Sequence, residues 1–334
     1  MAKSGRGGAR LRIHVVNNAN SAPVYHVTEE KFRAAAKRHP GVAKGIVLTF
    51  GTEPEERDAN LAEAEILLAG GFNMTGLAAR APRLKWVQST SAGVEKVVPH
   101  IPPGVVLTNA SGVHGPKGGE YAMTALLMLN HRVPHFVTNK PLARWDQAFA
   151  TPIAGKTVLM VGVGAIGSAA AKLAKRFGMR VLGLGRTARP DRLYERVYAP
   201  KDLHKLLPKV DFVLVTAPLT PATRGMIGKT ELDLLPRHAG IVNLGRGPVI
   251  DNDALAEKLT KGELSGAVLD VYPEEPLPAS SPLWRAPNLV MSPHCAVDDA
   301  SAYAARALDL FLDNLGRYRA GRKLLNVVDP ALGY

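Results

Sequence analysis

The stretch Val158-Leu-Met-Val-Gly-Val-Gly-Ala-Ile-Gly167 reads as a short buried strand, a glycine-rich turn and the first turn of a helix. Gly162, Gly164 and Gly167 fit G-x-G-x-x-G, and the three answer separate demands. Gly162 allows the tight turn, Gly164 lets a pyrophosphate approach the backbone, and Gly167 lets helix and strand pack closely. The helix that opens at Ala165 and Ile166 offers unpaired N–H groups and a positive dipole end to a phosphate. Glycine is common in this chain, 32 of 334 residues, so the pattern alone is a weak signal. Its surroundings strengthen it. Ile166, Ala170, Leu173 and Phe177 recur at helical spacing as an apolar face, Gly178 ends that helix, and Val181-Leu-Gly-Leu184 reads as the next strand. A strand–turn–helix–strand unit of this size predicts a dinucleotide site.

A chain of 334 residues exceeds the usual single core, so two domains are expected. The composition, 46% hydrophobic and 21% charged, is that of a soluble globular protein, and no apolar run approaches the ~18 residues that span a membrane. The basic N-terminus lacks the apolar core of a signal peptide. Cys295 is the one cysteine, so no internal disulfide can form and a reducing cytoplasm fits. The net charge of +13 raises the question of nucleic acid. Its distribution argues against that: Lys3, Arg6, Arg10 and Arg12 fall at a flexible N-terminal tail (residues 1–10) and just after it. Arg317, Arg319, Arg322 and Lys323 cluster near the C-terminus, and no basic stripe is interleaved with aromatics. A basic surface favours anionic substrates and cofactors instead.

Ahead of the glycine turn, strands are expected at Arg12–Val16, Ile46–Phe50, Glu65–Ala69, Leu84–Gln88 and Val105–Thr108, with a helix from Glu29 to His39. Strands separated by helices or loops imply a parallel sheet covered on both faces. Ser89-Thr-Ser-Ala-Gly-Val94 follows the fourth strand, where open α/β sheets bind ligands, and the amides of Ser91, Ala92 and Gly93 can hold a carboxylate. A further helix is expected from Gly119 to Asn130. His131 and His135 are spaced i, i+4, but Pro134 between them breaks a shared helix face, so no metal site is expected. Residues 136–154 read as an irregular arm of the kind that packs on a partner subunit. Beyond it, strands at 158–161, 181–184, 212–216, 240–243, 266–270 and 288–291 alternate with helices, one of them capped by Asp253, and complete a doubly wound dinucleotide fold. Ala300 to Tyr318 is one amphipathic helix that starts after this sheet is finished and is expected to return to the first domain. The expected domains are therefore 1–108 with 298–334, and 109–297.

Users of NAD place an acid about 20 residues past the glycines to accept from the ribose 2′-hydroxyl. Gly185 stands there, followed by Arg186, Thr187 and Arg189. Two guanidiniums and a hydroxyl suit a 2′-phosphate, so NADP(H) is the expected cofactor, with NAD(H) the alternative. Three polar residues follow later strands: Arg246, Glu275 and His294. In a parallel sheet all three open on the edge that carries the Gly162 turn. Arg246 can orient a substrate carboxylate and polarise its carbonyl, and His294 is the natural acid near neutral pH. A carboxylate such as Glu275 beside an imidazole favours the protonated ring and fixes its orientation.

These motifs resemble the D-isomer-specific 2-hydroxyacid dehydrogenases from about Leu84 to Val328. The resemblance is carried by Gly155-Lys-Thr-Val158 leading into the glycine turn, Ala217-Pro-Leu-Thr-Pro-Ala-Thr-Arg-Gly225, Asn243-Leu-Gly-Arg-Gly-Pro-Val-Ile-Asp251, Leu269-Asp-Val271 with Glu275-Pro-Leu277, and Ser292-Pro-His294. It implies two doubly wound parallel-sheet α/β domains, a flavodoxin-like substrate domain and a Rossmann dinucleotide-binding domain. It implies that Arg246 binds substrate, Glu275 supports the histidine and His294 is the acid/base. It assigns cofactor contacts to Gly162, Gly164, Ala165, Ile166, Gly167, Arg186, Thr187, Arg189, Ala217, Pro218, Leu219, Thr223, Leu244, Gly245, Arg246, Asp270 and His294, with Asp270 on the nicotinamide carboxamide. Ser91, Ala92, Gly93 and Arg246 become the substrate contacts. The Gly185-Arg186-Thr187 turn is similar to that of NADP-preferring glyoxylate and hydroxypyruvate reductases. Val297 and Cys295 depart from the family's pattern beside the histidine.

The expected activity is reduction of a small 2-oxoacid, glyoxylate or hydroxypyruvate first, by a cytoplasmic homodimer. Phosphoglycerate is disfavoured because no regulatory domain follows residue 334, and formate because Glu275 is not Gln; phosphite oxidation stays open within the family. The rival of another class is a dinucleotide-sensing corepressor, which shares the fold and the triad.

Overall fold

The apolar runs become parallel strands because neither face of their sheets is left to water. The central strands are buried along their whole length, which is why the runs are continuous rather than alternating. The structure, a computed structural model, describes residues 10–333. The expected tail lies outside the described residues except for Arg10, which is exposed. The chain divides into two compact units: one ends at Val113 and resumes at Asp299, the other is His114–Asp298.

In the first unit, β1 (Leu11–Val16), β2 (Ile46–Gly51), β3 (Ile66–Ala69), β4 (Trp86–Ser89) and β5 (Val106–Thr108) pair in the order β2-β1-β3-β4-β5, all parallel. This is the flavodoxin-like order. The helix Tyr303–Arg319 belongs to this unit and covers the sheet through Phe311, Leu312 and Leu315. Trp86 of β4 stacks on Phe311 and Tyr318 at centroid distances of 5.3 and 5.6 Å, and its indole N–H donates to Thr108 Oγ1 at 2.7 Å. A buried ring pair of this kind adds roughly 0.5–1.5 kcal/mol beyond its area. Asn314, also buried, donates to Gln88 Oε1 and fixes the following segment by accepting from the N–H of Leu325.

In the second unit, β6 (Thr157–Val161), β7 (Arg180–Leu184), β8 (Val197–Tyr198), β9 (Phe212–Val215), β10 (Gly240–Asn243), β11 (Gly266–Leu269) and β12 (Leu289–Met291) run parallel in the order β12-β11-β10-β9-β6-β7-β8. Counted from β6 this is the Rossmann order 3-2-1-4-5-6 with one more strand at the edge. The sequence reading expects six strands here; the seventh, β8, has two residues and is too short to carry a pattern.

Three helical expectations change. The helix expected from Gly119 begins at Gly115, because Pro116 sits in the first turn, where a missing N–H costs nothing. Its glycines face the helix Ala165–Arg176: a Cβ on Gly118 would come 3.0 Å from Ile166, and one on Gly119 2.8 Å from Ala169. Pro134 likewise starts a helix, Val133–Asn139, where the reading expects an irregular arm. The helix Asn252–Thr260 is capped by Asp251, not Asp253: the Asp251 carboxylate accepts from the N–H of Ala254 at 3.0 Å.

Candidate active site

In the second unit the strand order reverses direction between β6 and β9, and the chain leaves β6 there into Gly162. Gly162 has a φ of +104°, and a Cβ on it would lie 2.6 Å from the Ala217 nitrogen. Gly164 faces open space and is the N-cap of the helix Ala165–Arg176. A Cβ on Gly167 would lie 2.2 Å from the Gly162 carbonyl oxygen. Gly162 and Gly167 are thus forced by crowding, while Gly164 leaves the approach to the helix N-terminus unobstructed. That cradle fits a pyrophosphate. Thr216 Oγ1 donates to the Gly162 carbonyl at 2.9 Å and ties the turn to the end of β9. The helix buries Gly167, Ala170, Ala171 and Ala174. Phe177, expected on that face, is instead the C-cap and 46% exposed.

Beyond β7, Gly185 donates its N–H to the Tyr198 carbonyl at 2.9 Å. A Cβ there would come 3.0 Å from Val197 and 3.2 Å from Val163, so β8 disfavours any side chain, acidic ones included, at this position. Arg186, Thr187 and Arg189 are exposed. The backbone of Arg189 is fixed by two hydrogen bonds to Val197, and its guanidinium donates to Asp191 at 3.2 Å. Asp191 is an acid in this loop that the motif reading passes over.

After β9, Thr223 Oγ1 donates to the Pro218 carbonyl at 2.6 Å and accepts from the N–H of Thr220 at 2.8 Å, which closes the Ala217–Leu219 turn on itself. After β10, the buried Asn243 side chain accepts from the N–H of Gly245 at 3.0 Å and donates to the Arg246 carbonyl at 3.1 Å. Leu244 and Gly245 are buried, and Arg246, half-buried, follows on extended backbone with its guanidinium on the Gly245 carbonyl at 2.8 Å.

Glu275 and His294 meet. The Glu275 carboxylate lies 2.6 Å from His294 Nδ1, and its other oxygen accepts from the N–H of Tyr272 at 2.9 Å. With Nδ1 occupied, Nε2 is the nitrogen left to face a substrate. Both side chains are partly open, 42% exposed for His294 and 35% for Glu275. His294 has a φ of +51°, a left-handed conformation that costs a non-glycine residue about 1–2 kcal/mol. Asp270 is 1% exposed, and burial pushes its carboxyl up while the Ser292 hydroxyl and the N–H groups of Ala296 and Cys295 hold it down. Val297, one of the two departures from the family's pattern, is buried in the core of this unit.

In the first unit, the loop after β4 is fastened at two points. Ala110 donates its N–H to the Ser91 carbonyl, and Asn109 donates to the Ala92 carbonyl at 3.0 Å. The N–H of Ser91, one of three expected to hold a carboxylate, instead donates to Ser89 Oγ at 3.1 Å. The short side chain of Ser89 reaches it two residues on, as in a serine turn. The amides of Ala92 and Gly93 have no acceptor among the described residues. The sequence reading does not single out Tyr272, Ser292 or Tyr121: Ser292 stands in the motif that ends at His294, Tyr272 just after Val271, and the Tyr121 hydroxyl lies 3.2 Å from Ser292 Oγ.

A family model described as D-isomer specific 2-hydroxyacid dehydrogenase, NAD binding domain, matches residues 123–296. The glyoxylate reductase of Korarchaeum cryptofilum is 33% identical over 257 residues, which cover 75% of this chain and 77% of that one. A D-isomer specific 2-hydroxyacid dehydrogenase from Xanthobacter autotrophicus, solved in complex with NADPH and MES, is similar with a TM-score of 0.84 at 28% identity, over 98% of this chain and 100% of that one. An NADPH-dependent glyoxylate/hydroxypyruvate reductase from Sinorhizobium meliloti, solved with NADP and sulfate, gives a TM-score of 0.81 at 27% identity over 97% and 100%.

Proposed function

Since the chain belongs to the D-isomer-specific 2-hydroxyacid dehydrogenases, NAD(P)-dependent oxidoreductases, we propose that it reduces a small 2-oxoacid, glyoxylate or hydroxypyruvate, to the D-2-hydroxyacid with NADPH. The observation that carries this reading is the His294–Glu275 pair at 2.6 Å, which follows β12 and β11, with Arg246 after the next strand, β10, on the same sheet edge. The dinucleotide, when bound, supplies the hydride. Arg246 binds the substrate carboxylate and polarises the carbonyl. His294 gives a proton from Nε2 to the carbonyl oxygen, and Glu275 keeps the ring in the tautomer and orientation for that transfer. Asp270 is assigned to the nicotinamide carboxamide, and its second oxygen, whose nearest donor is the Ala296 N–H at 3.3 Å, supports that role. Ser91, Ala92 and Gly93 are proposed as further substrate contacts, with Ala92 and Gly93 supplying the amides.

Preference for NADP(H) is supported by the crowded Gly185 and the exposed Arg186, Thr187 and Arg189, and by the NADPH and NADP held by the two similar structures. A cytoplasmic homodimer is part of the same reading. It is supported by the single cysteine and by the 136–154 segment, where Trp145 is 93% and Phe149 86% exposed. Among the described residues no helix is long and apolar enough to cross a membrane. The test is a spectrophotometric screen of NADPH oxidation against glyoxylate, hydroxypyruvate, pyruvate and longer 2-oxoacids. Fastest turnover with the two-carbon or hydroxylated three-carbon acid is expected; no turnover with any 2-oxoacid would remove the reading.

A further inference from the structure

We propose that Tyr272 is a positioning residue for the acid/base pair, holding Glu275 with its backbone and the His294 turn with its hydroxyl. This rests on the acid/base reading of His294. The frame comes from strand register. β11 and β12 are paired so that Leu269 and Met291 stand side by side, and the next residues, Asp270 and Ser292, leave the sheet together. Two residues after Asp270 the buried Tyr272 turns back. Its hydroxyl donates to the Ser292 carbonyl at 2.9 Å, with the Leu269 carbonyl at 3.1 Å. The Ser292 carbonyl also accepts from the N–H of His294 at 3.1 Å. One oxygen therefore joins the phenol to the residue whose left-handed backbone must be held.

The other side of the turn is held by Asp270. Its carboxylate accepts from the Ser292 hydroxyl at 2.7 Å and from the N–H groups of Cys295 and Ala296, each at 3.1 Å. His294 is thereby fastened before and after. The N–H of Tyr272 donates to Glu275 Oε1 at 2.9 Å, while Glu275 Oε2 meets His294. Tyr272 thus holds Glu275 directly and His294 through the shared Ser292 carbonyl, without touching a reacting atom. It also meets the third member's loop: a Cβ on Gly247, next to Arg246, would fall 1.9 Å from the Tyr272 carbonyl carbon. Tyr272 is therefore packed against the segments that carry Arg246, Glu275 and His294.

The test is Tyr272→Phe, which removes the hydroxyl and keeps the ring, assayed beside His294→Gln. For Tyr272→Phe, kcat is expected to fall about ten- to a hundredfold, as for a 1 Å misplacement of a reacting group. KM for the oxoacid and Kd for NADPH should stay within about twofold, and the solvent deuterium isotope effect on kcat should rise because proton transfer becomes slower. An unchanged kcat overturns the proposal. So does a fall in kcat accompanied by lost NADPH binding or a lost fold, which would make the hydroxyl a general structural support. If His294→Gln retains wild-type turnover, the acid/base reading itself fails. If His294→Gln is inactive while Tyr272→Phe is fully active, only the positioning role fails.

Discussion

The glycine turn at Gly162–Gly167 and the corner that carries His294 lie on the same edge of one parallel sheet, and they are built by opposite means. The turn works by removing side chains. Two of its glycines are crowded by backbone at 2.2 and 2.6 Å, and the third is left open. The corner works by adding them: Asp270, Tyr272, Ser292 and Glu275 each spend a polar group on holding a single strained histidine. A phosphate needs only donors and room, whereas a proton must be delivered to one atom from one direction. The contrast predicts that damage to the turn appears in binding and damage to the corner in turnover.

The largest effect that separates the two is expected from Gly167→Val. Its branched side chain must enter a space where even a Cβ lies 2.2 Å from a carbonyl oxygen. Overpacking costs ~1–3 kcal/mol, and if the turn opens to relieve it, Kd for NADPH should rise by up to ~100-fold, readable by fluorescence titration. Unaltered binding would show that the turn is not the pyrophosphate site. Arg186→Ala should have a smaller and more selective effect. Loss of a charge-assisted hydrogen bond is worth ~1.5–3 kcal/mol, so NADPH should weaken at least ~10-fold while NADH changes little. Equal weakening of both would remove the 2′-phosphate assignment.

The same contrast decides what can be read from the sequence. The turn is legible because its pattern is local: six residues carry the three glycines and the helix start, although the crowding at Gly162 comes from Ala217. The strands are legible because full burial writes continuous apolar runs, and only the two-residue β8 escapes. Arg246, Glu275 and His294 are each legible as polar residues past a strand end. The braces between them are not. Tyr272 and Ser292 are 20 residues apart and meet only because Leu269 and Met291 share a register. The partner of the Ser91 N–H is hidden at the same scale, since the choice of Ser89 Oγ as its acceptor is a matter of one side-chain rotamer. Asp251 outcompetes Asp253 as a helix cap for a similarly local reason, the reach of its carboxylate to the N–H of Ala254.

A still smaller effect lies far from both regions in sequence, in the first unit. His14 is buried between Thr49 Oγ1 at 2.8 Å and the Arg57 carbonyl at 3.0 Å, and burial lowers its pKa below the ordinary value. The folded state therefore prefers the neutral ring. This stability is complete above about pH 6.5 and is lost as pH falls toward the lowered folded value. Between pH 8 and pH 5.5 the wild-type melting midpoint should fall a few degrees more than that of His14→Gln, on the scale of ~2–4 °C per kcal/mol. Parallel pH curves for the two proteins would exclude His14 as the source. NADPH affinity should not follow this change, because no cofactor or substrate residue proposed above touches His14.

The most direct measurement is His294→Ala, with kcat for glyoxylate or hydroxypyruvate and Kd for NADPH determined on the same preparation. Loss of a general acid is worth ~10²–10⁴ in rate. The expected result is a fall in kcat of that size with Kd for NADPH within about threefold of wild type. Turnover that survives the substitution, with the fold and NADPH binding intact, would contradict the assignment of His294 as the group that delivers the proton.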